Sequence, residues 1–71
     1  MPAHVIELLA WLVERRRSYA ETIDAWRTAC PRLAAWEDAF ALRLIELDGA
    51  RRDAEVRLTA AGAEALAQAL A

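Results

Sequence analysis

The chain of 71 residues contains no lysine and no asparagine, and only one cysteine, one histidine, two glycines and two prolines. A single Cys excludes an internal disulfide framework, so the hydrophobic core has to hold the fold unaided, as is usual in the cytosol. One His and one Cys cannot supply the three or four converging ligands of a metal centre. His4 is also the sole His open to a Ser-His-Asp or Cys-His arrangement, and near the start of the chain catalytic geometry is poorly held. A Gly-rich phosphate loop and a dinucleotide fingerprint are both missing. Glu37 and Asp38 are neighbours on a helix and point in different directions, which does not suit an acid–base pair. The expectation is a chain with no catalytic residues, no cofactor and no small-molecule substrate. Long apolar runs are lacking too. The longest uncharged one near the N-terminus is Leu8 to Val13, against about 20 residues for a spanning helix. Met1-Pro2-Ala3-His4 leads into Glu7 without the basic start and small-residue cleavage site of a signal peptide. A cytoplasmic chain with no membrane contact is expected.

What is present is a foldable composition. Hydrophobic residues make up 58%, and 9 Arg against 11 acidic residues leave a net charge of -2, the opposite of the low hydrophobicity and high charge of disordered chains. A chain of this size buries about 60% of its unfolded surface, which suffices for one small core. Residues 1–71 therefore read as a single domain without repeats or linkers. The abundance of Ala reflects a GC-rich coding bias and carries no functional content.

Helical periodicity runs through most of the chain. Val5, Leu9, Leu12 and Val13 fall at i, i+4, i+7 and i+8 of a first helix over about His4 to Arg17. Ile6, Leu8 and Trp11 widen its apolar stripe. Glu7 in the first turn and Arg15, Arg16 and Arg17 in the last would suit the helix dipole. Ser18-Tyr19-Ala20-Glu21 fits a capping box, followed by Tyr19, Ile23, Trp26 and Cys30 on one face until Pro31 ends the helix. Leu33, Trp36, Phe40 and Leu44 share the face of a third helix. The period then changes to two, in Ile45-Glu46-Leu47 and in Glu55-Val56-Arg57-Leu58, on either side of an Asp48-Gly49 turn and a loop to Ala54. Thr59 can cap a last helix with Ala63, Leu66 and Leu70 on one face. Gly62 costs that helix up to ~1 kcal/mol relative to Ala, which a close backbone contact would explain. The fold expected is mainly α with a small β-hairpin, in the order ααα-β-β-α. Ile45–Leu47 should pair with Val56–Leu58, and Trp26, Trp36 and Phe40 should be mostly buried.

A tri-helical core followed by a two-stranded wing is the layout of the winged helix-turn-helix. Leu44-Ile45-Glu46-Leu47, the loop Asp48-Gly49-Ala50-Arg51-Arg52-Asp53 and Val56-Arg57-Leu58-Thr59-Ala60-Ala61-Gly62 resemble the wing region of MarR-type regulators. There a "Leu-Ile" strand, an Arg-bearing loop and a "Val-x-Leu-Thr-x-x-Gly" junction recur. The resemblance covers the C-terminal third; the upstream helices agree in order and length. It implies a relative of DNA-binding transcription regulators, with the third helix in the major groove and the wing on the backbone or minor groove.

The candidate site residues follow. Arg32 and Arg43 would lie near base edges or phosphates, Arg51 and Arg52 would reach DNA from the wing, and Arg15, Arg16 and Arg17 could flank them on phosphates. The alternative for that triplet is a solvated helix end. Cys30, in line with Tyr19, Ile23 and Trp26, reads as a small buried filler. The segment from Thr59 to Ala71 has little polar surface, so Leu66 and Leu70 are the candidates for a homodimer interface. Two functions compete. The reading leans to the first, a winged-helix protein that binds duplex DNA as a dimer, which the usual role of the fold favours. The other is a winged helix without DNA contact, serving as a protein-interaction or dimerisation module. The third helix is neutral overall, and Ile45 to Leu58 carries three Arg against four carboxylates; that balance favours the second, because phosphate binding needs several cations.

Overall fold

A computed structural model describes residues 2–26, 32–49 and 51–71. These form helices α1 (Ala3–Glu14), α2 (Tyr19–Trp26), α3 (Arg32–Ala41) and α4 (Ala60–Leu70), and strands β1 (Arg17–Ser18), β2 (Ile45–Asp48) and β3 (Glu55–Leu58). The strands make one antiparallel sheet in the order β1-β3-β2. The architecture is mainly helical with a small sheet. The expected hairpin is present: Ile45 pairs with Leu58 and Leu47 with Val56. The strand β1 is an addition. Two residues are too few to show a period of two, and only the pairing of Arg17 with Val56 and Ser18 with Glu55 defines it.

That pairing also corrects the first helix, which ends at Glu14 and not at Arg17. Arg15 takes an extended conformation, φ -165° and ψ 172°, as the chain turns toward the sheet. At the other end α1 begins at Ala3 behind Pro2, so Glu7 lies beyond the first turn. The buried stripe of α1 is Val5, Leu8, Leu9 and Leu12; Val13, expected among them, is exposed. This stripe packs on α3, α4 and β3 and centres the core, which Ala35, Ala39, Leu44, Ile45, Val56 and Leu66 complete.

Ser18 starts α2 by the capping box. The Glu21 amide donates to Ser18 Oγ at 3.0 Å, and the Ser18 amide to Glu21 Oε1 at 3.5 Å. Thr22, fully buried, donates Oγ1–H to Ser18 O at 2.8 Å, which satisfies its hydroxyl within the helix. Trp26 is buried as expected and meets Trp11 edge-to-face at 5.9 Å, tying α2 to α1. The helix end expected at Cys30 and Pro31, and the packing of Cys30, lie outside the described residues.

In α3 the core contacts fall to Ala35, Trp36 and Ala39. Phe40 is 44% exposed, a correction to its expected burial. The reason is the rotation of the helix. Two fully buried Ala face inward, which turns position 40 to the flank, where its ring still leans on Trp36 at 5.6 Å. After α3, Arg43 adopts a left-handed conformation, φ 60°, and swings the chain into β2.

The junction before α4 is held by three contacts. Thr59 Oγ1 accepts from the Gly62 amide at 3.1 Å and donates to Arg43 O at 2.7 Å, while the Thr59 amide donates to Leu44 O at 3.0 Å. Thr59 is thus the N-cap of α4 and the clasp between that helix and the start of β2. Thr59→Ala should lower the unfolding free energy by about 1–2 kcal/mol in a denaturant titration. Thr59→Ser, which keeps both hydroxyl bonds, should retain most of it.

Candidate functional site

The candidate cations stand in different settings in the fold. Arg17 is turned inward and is only 8% exposed. Its guanidinium carbon lies 3.9 Å from the centre of the Trp11 ring, and Nη2 and Nε donate to Trp11 O at 3.3 and 3.4 Å. Glu14 Oε1 accepts from Nη2 at 3.1 Å, and Glu21 Oε2 stands 3.7 Å from Nη1. Trp11 O belongs to the last turn of α1, whose carbonyls have no partner within the helix. Arg17 therefore caps α1 with a cation where the dipole favours one, and its charge is spent inside the protein. Neither the solvated helix end nor a phosphate contact describes it.

Arg15 is exposed and bonded to both oxygens of Glu21, with Nη1 to Oε1 at 3.3 Å. That bond, aided by the Ser18 amide, holds the Glu21 carboxyl below its ordinary value. Among the described residues no carboxylate lies within ion-pairing distance of Arg16, Arg43, Arg51 or Arg52, all of which are exposed. Arg43 precedes β2 and Arg51 and Arg52 follow it, so the length of that strand, about 13 Å at ~3.3 Å per residue, separates them. Arg32 opens α3, but its side chain lies outside the described part.

The loop between β2 and β3 is anchored at its base. The Tyr19 amide donates to Ala54 O at 2.8 Å and the Ala20 amide to Arg52 O at 2.9 Å, so the first free amides of α2 hold the loop. Gly49 and Arg51 take positive φ, 114° and 67°. The third Arg of the hairpin, Arg57, is occupied: Nη2 lies 2.8 Å from Asp48 Oδ2, and Nε lies 3.6 Å from Glu55 Oε1.

Beyond Arg32, whose side chain lies outside the described part, α3 and the turn after it carry no cation before Arg43. Residues 34–42 are Ala, Ala, Trp, Glu, Asp, Ala, Phe, Ala and Leu. They include none of the Arg, Lys, Asn, Gln, Ser or Thr side chains that donate to base edges. Glu37 is exposed and has no ion pair among the described residues, and Asp38 Oδ2 meets His4 Nε2 at 3.1 Å. Beside them Phe40 is 44% and Leu42 54% exposed. This apolar and acidic end of α3 was not legible in the sequence, because the helical period placed Phe40 in the core. Of the two candidate dimer residues, Leu66 is buried in the core of the single chain and Leu70 is 73% exposed. A shallow groove beside α4 is lined by Ile6, Ala65, Gln68 and Ala69.

Among the described residues no group of three His, Cys, Asp or Glu side chains is placed to hold a metal ion, and no helix is long and apolar enough to cross a membrane. No protein-family model, no curated protein and no solved structure matches the chain.

Proposed function

We propose that the chain is a winged-helix domain that acts through contact with protein rather than with duplex DNA. Three helices, then a hairpin with an anchored loop, then a terminal helix support the winged-helix reading. The observation that carries the choice of partner is the outer side of α3. It offers two carboxylates and an exposed Phe40, with an exposed Leu42 just past its end, and no Arg, Lys, Asn, Gln, Ser or Thr between residues 34 and 42. Phosphates repel such a surface, whereas a protein can cover its apolar part and pair its charges.

One observation favours the DNA reading: Arg51 and Arg52 are exposed on the wing loop with no carboxylate in ion-pairing range among the described residues. A labelled duplex titrated at low salt separates the two. No binding tighter than about 10⁻⁴ M, the weak end of non-specific duplex affinity, is the expected result. Saturable binding whose salt slope, near -2 for two phosphate contacts, disappears in the Arg51→Ala/Arg52→Ala chain would establish a DNA-binding wing instead.

A further inference from the structure

Resting on that reading, we propose that the partner is a second copy of this chain, with Arg51 and Arg52 of one protomer seated on Glu37 and Phe40 of the other. Glu37 and Phe40 are three residues apart on α3 and so lie side by side on the helix. Together they offer a guanidinium a carboxylate and a ring face. The protein already holds one Arg in this way: Arg17 lies over the Trp11 ring and is paired with Glu14 and Glu21. At Glu37 and Phe40 the same kind of receptor is exposed, and among the described residues no cation pairs with Glu37.

The matching cations are on the wing. Arg51 and Arg52 are adjacent and exposed, and their backbone is preset by the left-handed Arg51 and by the bond from the Ala20 amide to Arg52 O. Preset elements lose little freedom on association. Phe40 is steadied by Trp36 at 5.6 Å, and Trp36 by Tyr19 at 5.6 Å. Exposed ion pairs contribute little alone, so burial of Phe40 and Leu42 and stacking of an Arg on the ring supply the attraction, while the charges set the register. A net charge of -2 puts up little repulsion between copies. About a two-fold axis the contact occurs twice, each protomer giving its wing and receiving the other's.

Sedimentation of the full chain over a range of concentration and salt tests this. A reversible dimer weakened by salt is expected. Glu37→Arg alone, and Arg51→Glu with Arg52→Glu, should each weaken self-association by about tenfold or more, since like charges then face each other. Circular dichroism should show both variants folded, because all three positions are exposed. Mixing the two variants should restore association, as the mixed dimer has opposite charges in both contacts. Leu70→Glu should leave the dimer unchanged. A wild-type chain that stays monomeric, a mixture that does not associate, or a dimer lost in Leu70→Glu overturns this pairing and leaves the protein-contact reading standing. Duplex binding that depends on Arg51 and Arg52 overturns that reading as well.

Discussion

Gly62→Ala should destabilise the protein by about 3 kcal/mol, the upper end of overpacking costs, and lower its Tm by roughly 12–24 °C. Helix propensity alone predicts the opposite sign, since Ala improves on Gly by about 1 kcal/mol inside a helix. The tertiary contact decides. A Cβ at position 62 would stand 2.0 Å from Leu44 O, 2.9 Å from Leu44 C and 3.3 Å from Leu44 Cα. These are backbone atoms, so no side chain can swing aside. Leu44 O is also the acceptor for the Thr59 amide, and Thr59 caps α4. Moving α4 away from β2 therefore strains the cap and the seat of Leu66 together. Urea unfolding of the variant checks the sign. An unchanged or higher midpoint would show that the approach of α4 to Leu44 is looser than described.

Trp36→Ala should cost about 3–5 kcal/mol. At about 0.05–0.15 kcal/mol per residue, the whole chain is stable by only about 4–11 kcal/mol, so this variant should lose a large share of its stability, and all of it where the wild type lies at the low end. The indole is 8% exposed and lies between Tyr19 and Phe40, with both ring centroids at 5.6 Å. It joins α3 to the start of α2, and its loss leaves a cavity that Ala35 and Ala39, both small and already buried, cannot fill. Trp36→Phe should keep most of the packing. Near-ultraviolet circular dichroism with denaturant titration reads both variants. A Trp36→Ala chain that unfolds cooperatively with less than about 1 kcal/mol lost would place Trp36 outside the structural core.

The features legible in the sequence are those set by near neighbours in the chain. The Ser18–Glu21 box and the Thr59 cap each need residues only three apart, and both bonds form. The switch from a helical period to a period of two located β2 and β3, whose pairing is the expected one; Asp48, expected in the turn, is instead the last paired residue of β2. Gly62 announced a close contact by its cost to the helix, though not the atom it would meet. Phe40 shows where periodicity stops: it names a face but not which part of that face touches a neighbour. In α3 the burial of Ala35 and Ala39 turned the Phe40 ring to the flank. Arg17 shows the same limit for charge. In the sequence it is one of three equivalent Arg; in the fold it is the one that reaches the free carbonyl of Trp11.

By itself, then, the sequence determined the presence and order of the four helices, the pairing of the hairpin and both caps. It also showed that the third helix is neutral overall. Only the tertiary structure decided that Arg17 is internal, that Leu66 belongs to the core and that Phe40 and Leu42 face outward. Local elements follow from hydrogen bonds and side-chain spacing within a few residues. Which charges pair and which apolar groups stay exposed depends on contacts between elements distant in the chain, and those exist only once α1, α3, α4 and the sheet have packed.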